Sequence, residues 1–341
     1  MNHIEVLTEE SLRELISIRK GETKFGEGVQ LLPKENWAET LSISKAKFVL
    51  LGIPEDIGVR ANHGMGGAHT MWLPALKAIL NVQQSEDLRG EDLVVLGAFN
   101  FSELMEQSKS LSVNDLRELV AQIDDLVYPV VEQIFRLNKI PIVIGGGHNN
   151  AFPLLKALSR FSNSPVNCIN LDAHSDYRKM EGRHSGNGFR YARVFGFLKR
   201  YALVCLHRNY NAAQIVAEIS ADENIVHSFY EDIFISQVKP FSQMVQEAVE
   251  FTRGSITGVE LDVDSIVGAL SSATTPCGIS SVEARQFLTY VGTLADIGYL
   301  HIAEGATELA DGRKSVENAK LIAYLVTDFI RSVTGRMQHI L

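Results

Sequence analysis

Eight short, almost unbroken apolar runs recur along the chain: KFVLLGI (47–53), LVVLGAF (93–99), IPIVIGG (140–146), VNCINLD (166–172), YALVCLH (201–207), ENIVHSF (223–229), ITGVELD (256–262) and IGYLHIA (297–303). Between them lie stretches with helical apolar spacing, such as VNDLRELVAQIDDLVYPVVEQIFRLN (113–138), FSQMVQEAVEFTRG (241–254) and RKSVENAKLIAYLVTDFIRSV (313–333). A strand that is apolar on both faces has to be covered on both, and parallel neighbours need a crossover long enough to hold a helix. The alternation therefore predicts an α/β fold, a mainly parallel sheet with helices on either side. No Pro/Gly/Ser-rich linker and no fixed-period repeat divides the chain, so residues 1–341 read as a single domain, with a helical N-terminal segment over about residues 1–45; two domains split near residue 160 are the alternative.

Ligands of open α/β sheets bind outside the carboxyl ends of the strands. Three of the runs end in metal-ligand residues: IPIVIGGGHNN delivers His148, VNCINLDAHSD delivers Asp172, His174 and Asp176, and ITGVELDVDS delivers Asp262 and Asp264. A lone Asp after a strand is more often a helix cap. Six such residues at three equivalent ends are too many for one ion with an open site and suit two ions that share carboxylates. GGGH lacks the spacing of a dinucleotide fingerprint and reads as a tight turn.

A net charge of −9 without a dense Lys/Arg run argues against nucleic acid as a partner. Cys168, Cys205 and Cys277 fit neither a disulfide framework nor a zinc clip, and a reduced, cytoplasmic setting is expected. The N-terminus is charged throughout and no 18-residue apolar span occurs, so a soluble, unprocessed chain without a membrane partner is expected.

These motifs resemble those of the ureohydrolases, the arginase, agmatinase and formimidoylglutamase superfamily: GGGHNN is similar to its GG-x-H motif, LDAHSD to D-A-H-x-D and ELDVDS to S-x-D-x-D. The resemblance runs from about residue 47 to 333. It implies an eight-stranded α/β/α sandwich and two Mn2+ ions per subunit, with His148, Asp172, Asp176 and Asp264 around the pair and Asp172, His174, Asp176 and Asp262 completing it. It also implies that Asp176 accepts a proton from a bridging water and that Glu304, in AEGAT (303–307), holds the guanidinium or formimino group of a small-molecule substrate. Glu260 departs from the family, which usually has Ser there, and Gly147 stands where arginases and agmatinases usually show Asp.

Within the superfamily the sequence is more similar to formimidoylglutamases, with Arg178 after the metal strand and Phe189 before Arg190; an arginase would carry a His where Phe189 stands. A substrate with two carboxylates calls for nearby guanidinium groups. Arg178, Arg183, Arg190 and Arg208 are therefore expected as substrate contacts, with Arg60 also near a strand end, although each Arg alone is more often a structural ion pair; Ser185 and Asn187 are expected as contacts because SGN (185–187) resembles an arginase segment. His184 is expected as a substrate contact or catalytic group, while His63 and His69 read as loop structure and Trp37 and Trp72 as packing. Histidine breakdown through N-formimidoyl-L-glutamate is the leading expectation. A guanidino hydrolase of the arginase or agmatinase type, or a non-catalytic ligand-binding member, are the alternatives. A closed homo-oligomer, trimer or hexamer, is expected from the same resemblance.

Overall fold

The structure, a computed structural model, describes residues 3–335. All eight apolar runs form strands: β3 (Phe48–Gly52), β4 (Leu93–Phe99), β5 (Ile140–Ile144), β6 (Val166–Leu171), β7 (Leu198–Leu206), β8 (Ile225–Phe229), β9 (Thr257–Asp262) and β10 (Ile297–Ala303). Two short strands precede them, β1 (Ile4–Val6) and β2 (Gln30–Leu31), so the sheet has ten strands rather than eight. Both come from the N-terminal segment and pair with β4, β1 antiparallel and β2 parallel. The exposed N–H and C=O groups along an outer strand recruit any extended segment that can reach them. Three residues and two residues are too short to show an alternating pattern. The N-terminal segment does hold helices, Glu9–Leu15 capped by Thr8 and Trp37–Ile43, but it is not helical throughout.

The strand order is β1-β4-β3-β5-β10-β9-β6-β7-β8, and every pairing but that of β1 is parallel. Alternate residues feed two separate cores: Val49 and Leu51 of β3 enter one, Phe48 and Leu50 the other. The first core is closed by the helices Val113–Arg136 and Ala151–Ser162, through residues such as Val120, Val127 and Leu155. The second is closed by Trp72–Leu80, Phe241–Thr252, Ser281–Val291 and Glu317–Val333. This is the helix–sheet–helix layering that two-sided burial requires. The long helix Val113–Arg136 starts at a reciprocal cap between Ser112 and Asp115, which satisfies amide groups that its first turn leaves without partners. Among the described residues no helix is long and apolar enough to cross a membrane.

Candidate metal centre

Four adjacent strands, β5, β10, β9 and β6, end on the same edge, and the polar residues gather there. After β5 the chain turns through Gly145 and Gly146 at φ +88° and +75°, a region open to glycine at little cost. At Gly146 a Cβ would stand 2.3 Å from Asn150 Nδ2. Buried Glu55 ties this loop down, its Oε1 accepting from the Gly147 amide (3.0 Å) and from the Asn150 side chain (2.7 Å). His148 follows, fully buried, with Nδ1 3.2 Å from Asp172 Oδ2, 3.0 Å from Asp176 Oδ2 and 3.1 Å from Asp262 Oδ2.

The loops after β6 and β9 are each shaped by their first aspartate. Asp172 Oδ1 accepts from the His174 amide (2.7 Å) and Asp262 Oδ1 from the Asp264 amide (2.8 Å), turns that leave the second oxygen of each carboxylate aimed inward. His174 Nδ1 then lies 2.9 Å from Asp264 Oδ2 and 3.8 Å from Asp172 Oδ1. All six residues read as ligands converge in two groups, His148 with Asp172, Asp176 and Asp262, and His174 with Asp172 and Asp264. The resemblance placed both Asp262 and Asp264 around the pair without dividing them between the ions. The division follows from the turn after β9, which leaves Asp262 at the strand end beside His148 and carries Asp264 to His174.

The donors fit a dication pair. His148 Nδ1 is buried and makes no hydrogen bond despite three carboxylates within 3.2 Å, as befits ligands arranged around a shared centre. Burial and the neighbouring carboxylates push Asp176 and Asp262 above the usual carboxylate range, Asp262 well above it. Crowded buried acids of this kind need a cation to stay ionised.

Glu304 leaves β10 at φ +64°, a conformation rare for a residue with a side chain. Its Oε1 accepts from the His148 amide (3.0 Å) and its Oε2 from Ser272 (3.1 Å), and burial, with Asp264 and Asp176 nearby, raises its carboxyl to about 8. It lines a cavity of about 530 Å³ that opens over His174, Asp176, Asp262 and Asp264.

Of the expected substrate contacts, the structure brings Arg178 and Ser185 to this cavity and leaves the others outside it. Arg183 is buried in a two-point ion pair with Asp124 (2.8 and 3.3 Å) and against the rings of Phe152 and Tyr191. Arg190 is held by Glu218 over Tyr177, and Arg208 by Asp232 (2.7 Å) over Phe229. Asn187 is consumed by Arg183, by the His184 amide and by the Gly182 carbonyl. His184 is fully buried, its Nδ1 accepting from the Gly186 amide (3.1 Å) and its Nε2 lying 3.3 Å from Glu181, so it steadies the loop from behind. Arg60 and His69 both pair with Asp56, and His63 occupies a left-handed turn.

The sequence reading passed over Lys179, Glu181 and Tyr210, which line the cavity. Tyr210 stacks on His174 with ring centres 5.2 Å apart and hydrogen-bonds Thr275 through its hydroxyl (3.1 Å). Its one sequence signal was its place in LHRNYNAAQ, directly after β7. Glu181 stands between Arg178 (3.1 Å) and Arg117 (3.5 Å).

The description "Arginase family" belongs to the family model that matches residues 46–329. The chain belongs to the arginase family. Among relatives, it is 26% identical over 269 residues to a formimidoylglutamase of Corynebacterium efficiens, covering 75% of each chain. Among solved structures, a formimidoylglutamase of Bacillus subtilis superposes with a TM-score of 0.71 at 13% identity, over 93% of this chain and 94% of that one. A Trypanosoma cruzi formiminoglutamase crystallised with Mn2+ gives 0.68 at 19% identity, over 92% and 98%. At these identities the superpositions speak for the arginase fold alone.

Proposed function

We propose that this protein is a dimanganese formimidoylglutamase, which hydrolyses N-formimidoyl-L-glutamate to L-glutamate and formamide. As a member of the arginase family it is a hydrolase of amidine or guanidino compounds, and the charge layout of its cavity carries the choice among them. One end holds the carboxylate cluster and Glu304; the other holds Arg178 and Lys179, with Arg117 behind Glu181. Two arginines on one glutamate, with Lys179 next in sequence to Arg178, leave that end cationic, which suits a substrate whose tail carries carboxylates. The relatives named formimidoylglutamase support the same reading.

His148, Asp172, Asp176 and Asp262 would hold one ion and Asp172, His174 and Asp264 the other, with Asp172 facing both. A Mn2+ pair there would supply hydroxide near neutral pH by lowering the pKa of water, the nucleophile for the carbon of a C=N bond. Glu304, fixed by the His148 amide and Ser272, faces the position of a protonated formimino nitrogen and keeps that cation oriented. Asp176, in reach of the same centre, takes the proton released by water and passes it to the leaving amine. Arg178 and Lys179 grip the glutamate carboxylates, and the Tyr210 ring walls the cavity beside His174.

Release of formamide from formimidoylglutamate by the manganese-loaded protein, measured beside urea release from arginine and agmatine, tests this reading. Faster urea release would favour a guanidino hydrolase, for which Glu181 offers an acid to an α-ammonium group. A protein purified with Mn2+ supplied that retains none would favour a non-catalytic member. With its three cysteines free, the chain is read as working in a reducing cytoplasm. A closed homo-oligomer is part of the same proposal, and sedimentation as a lone 37.7 kDa monomer would contradict it.

A further inference from the structure

Glu260 is fully buried beneath the metal-ligand cluster, where the family resemblance leads one to expect a serine. It faces three partners on two adjoining elements. Oε1 accepts from the Tyr299 hydroxyl (2.6 Å), and Oε2 lies 2.6 Å from His301 Nδ1 and 3.4 Å from His148 Nε2. Glu260 and His301 are register partners on β9 and β10, and Tyr299 sits two residues before His301 on the same face. His301 reaches in the other direction to β5: its Nε2 lies 3.2 Å from the Gly145 carbonyl, at the start of the loop that carries His148. The polar chain therefore begins and ends on one loop, running Gly145, His301, Glu260, His148.

Space for it has been cleared. A Cβ at Gly258 would stand 2.6 Å from the Tyr299 ring, so glycine at this strand position is what lets the tyrosine lie across β9 and reach Glu260. His148 Nε2 is itself buried and makes no hydrogen bond, while Nδ1 faces Asp172, Asp176 and Asp262. A neutral imidazole carries its proton on one nitrogen only, and a ligand nitrogen must be the bare one.

We propose that Glu260, held by Tyr299 and His301, is a positioning residue that keeps the His148 proton on Nε2 and so presents Nδ1 as a ligand to one ion of the pair. This rests on the dimetal reading above. Removing a partner of this kind from a metal-bound histidine weakens the metal by about 10–100-fold. The loss falls on the ion held by His148 and spares the one held by His174 and Asp264. The same three buried groups, His148, Glu260 and His301, have donor atoms within 4.8 Å of one another, the spacing of a third cation site. Tyr299 and the Gly145 carbonyl already face Glu260 Oε1 and His301 Nε2, which favours a fixed polar chain over a third ion.

The test is titration of the metal-free full chain with Mn2+, followed by calorimetry and by metal analysis after gel filtration, with no substrate present. Wild type is expected to bind two ions. Glu260→Gln should bind one with unchanged affinity and the other at least tenfold more weakly, and Tyr299→Phe, which removes only a hydroxyl, should weaken that same ion by a smaller factor. A merely structural role would lower the metal-free melting temperature and weaken both ions together. Tyr299→Phe keeps the test decisive if Glu260→Gln fails to fold. Two wild-type affinities in both variants, or a third ion lost with Glu260, would overturn the positioning role while leaving the dimetal reading intact. A wild type that binds no Mn2+ would remove both.

Discussion

His184 is an imidazole that the fold cannot charge cheaply. Burial, with Arg117 and Arg178 close by, lowers its pKa to about 4, whereas in an unfolded chain it titrates near 6.5. Between those values the unfolded chain binds the extra proton, so this group's contribution to stability is present above about pH 6.5 and is lost as pH falls toward 4. Metal-free wild type should lose melting temperature across that window, and His184→Gln should lose less of it, as thermal scans at half-unit pH steps will show. At the cavity's cationic end, Arg178→Met should raise KM for formimidoylglutamate by about 10–100-fold, since each hydrogen bond to a charged group is worth about 1.5–3 kcal/mol. Arg190→Met and Arg208→Met should leave KM near wild type, because both side chains lie outside the cavity that Arg178 lines, paired with Glu218 and Asp232. At the centre itself the two groupings separate the aspartates. Asp264→Ala should cost one Mn2+ per chain and Asp172→Ala both, a difference that elemental analysis of dialysed protein reads directly.

Among the elements, the turn after β5 is the most constrained. Gly146→Ala puts a side chain at φ +75° and a methyl 2.3 Å from Asn150 Nδ2, so the loop must move, and His148 moves with it. Such strain costs about 1–3 kcal/mol. Mn2+ titration should then show the His148 ion weakened about tenfold or more, with a small fall in melting temperature. This turn and the strands around it were legible in the sequence because strands buried on both sides are written as unbroken apolar runs, and their polar endings stand out. β1 and β2 were not legible, since Ile4–Val6 and Gln30–Leu31 are strands only because β4 offers an edge. The six ligands were legible from residue type and place. The role of each arginine was not, because whether Arg190 meets a substrate or Glu218 is decided by a helix 28 residues further on, a contact that no local pattern records.

At the scale of the whole molecule, the centre is a place where several buried acids meet. Without cations their repulsion opposes the packed state, and with cations it becomes cross-linking between β5, β6 and β9. Chelation should therefore lower the melting temperature, and added Mn2+ should restore it in a concentration-dependent way. At a free concentration 100 times its Kd, an ion that binds only the folded state adds about 2.7 kcal/mol. A melting temperature indifferent to chelator would mean that the carboxylates are accommodated without metal.

The position of β10 sets when such a centre can exist. It is the last strand among the described residues, yet it lies between β5 and β9, two places in from β6. A ribosome that has just passed residue 296 has already made all six ligands, but the sheet still lacks the strand that joins the half carrying His148 to the half carrying the aspartates. Insertion of β10 works as a keystone: a fragment that stops short of it should hold neither half of the centre in register with the other.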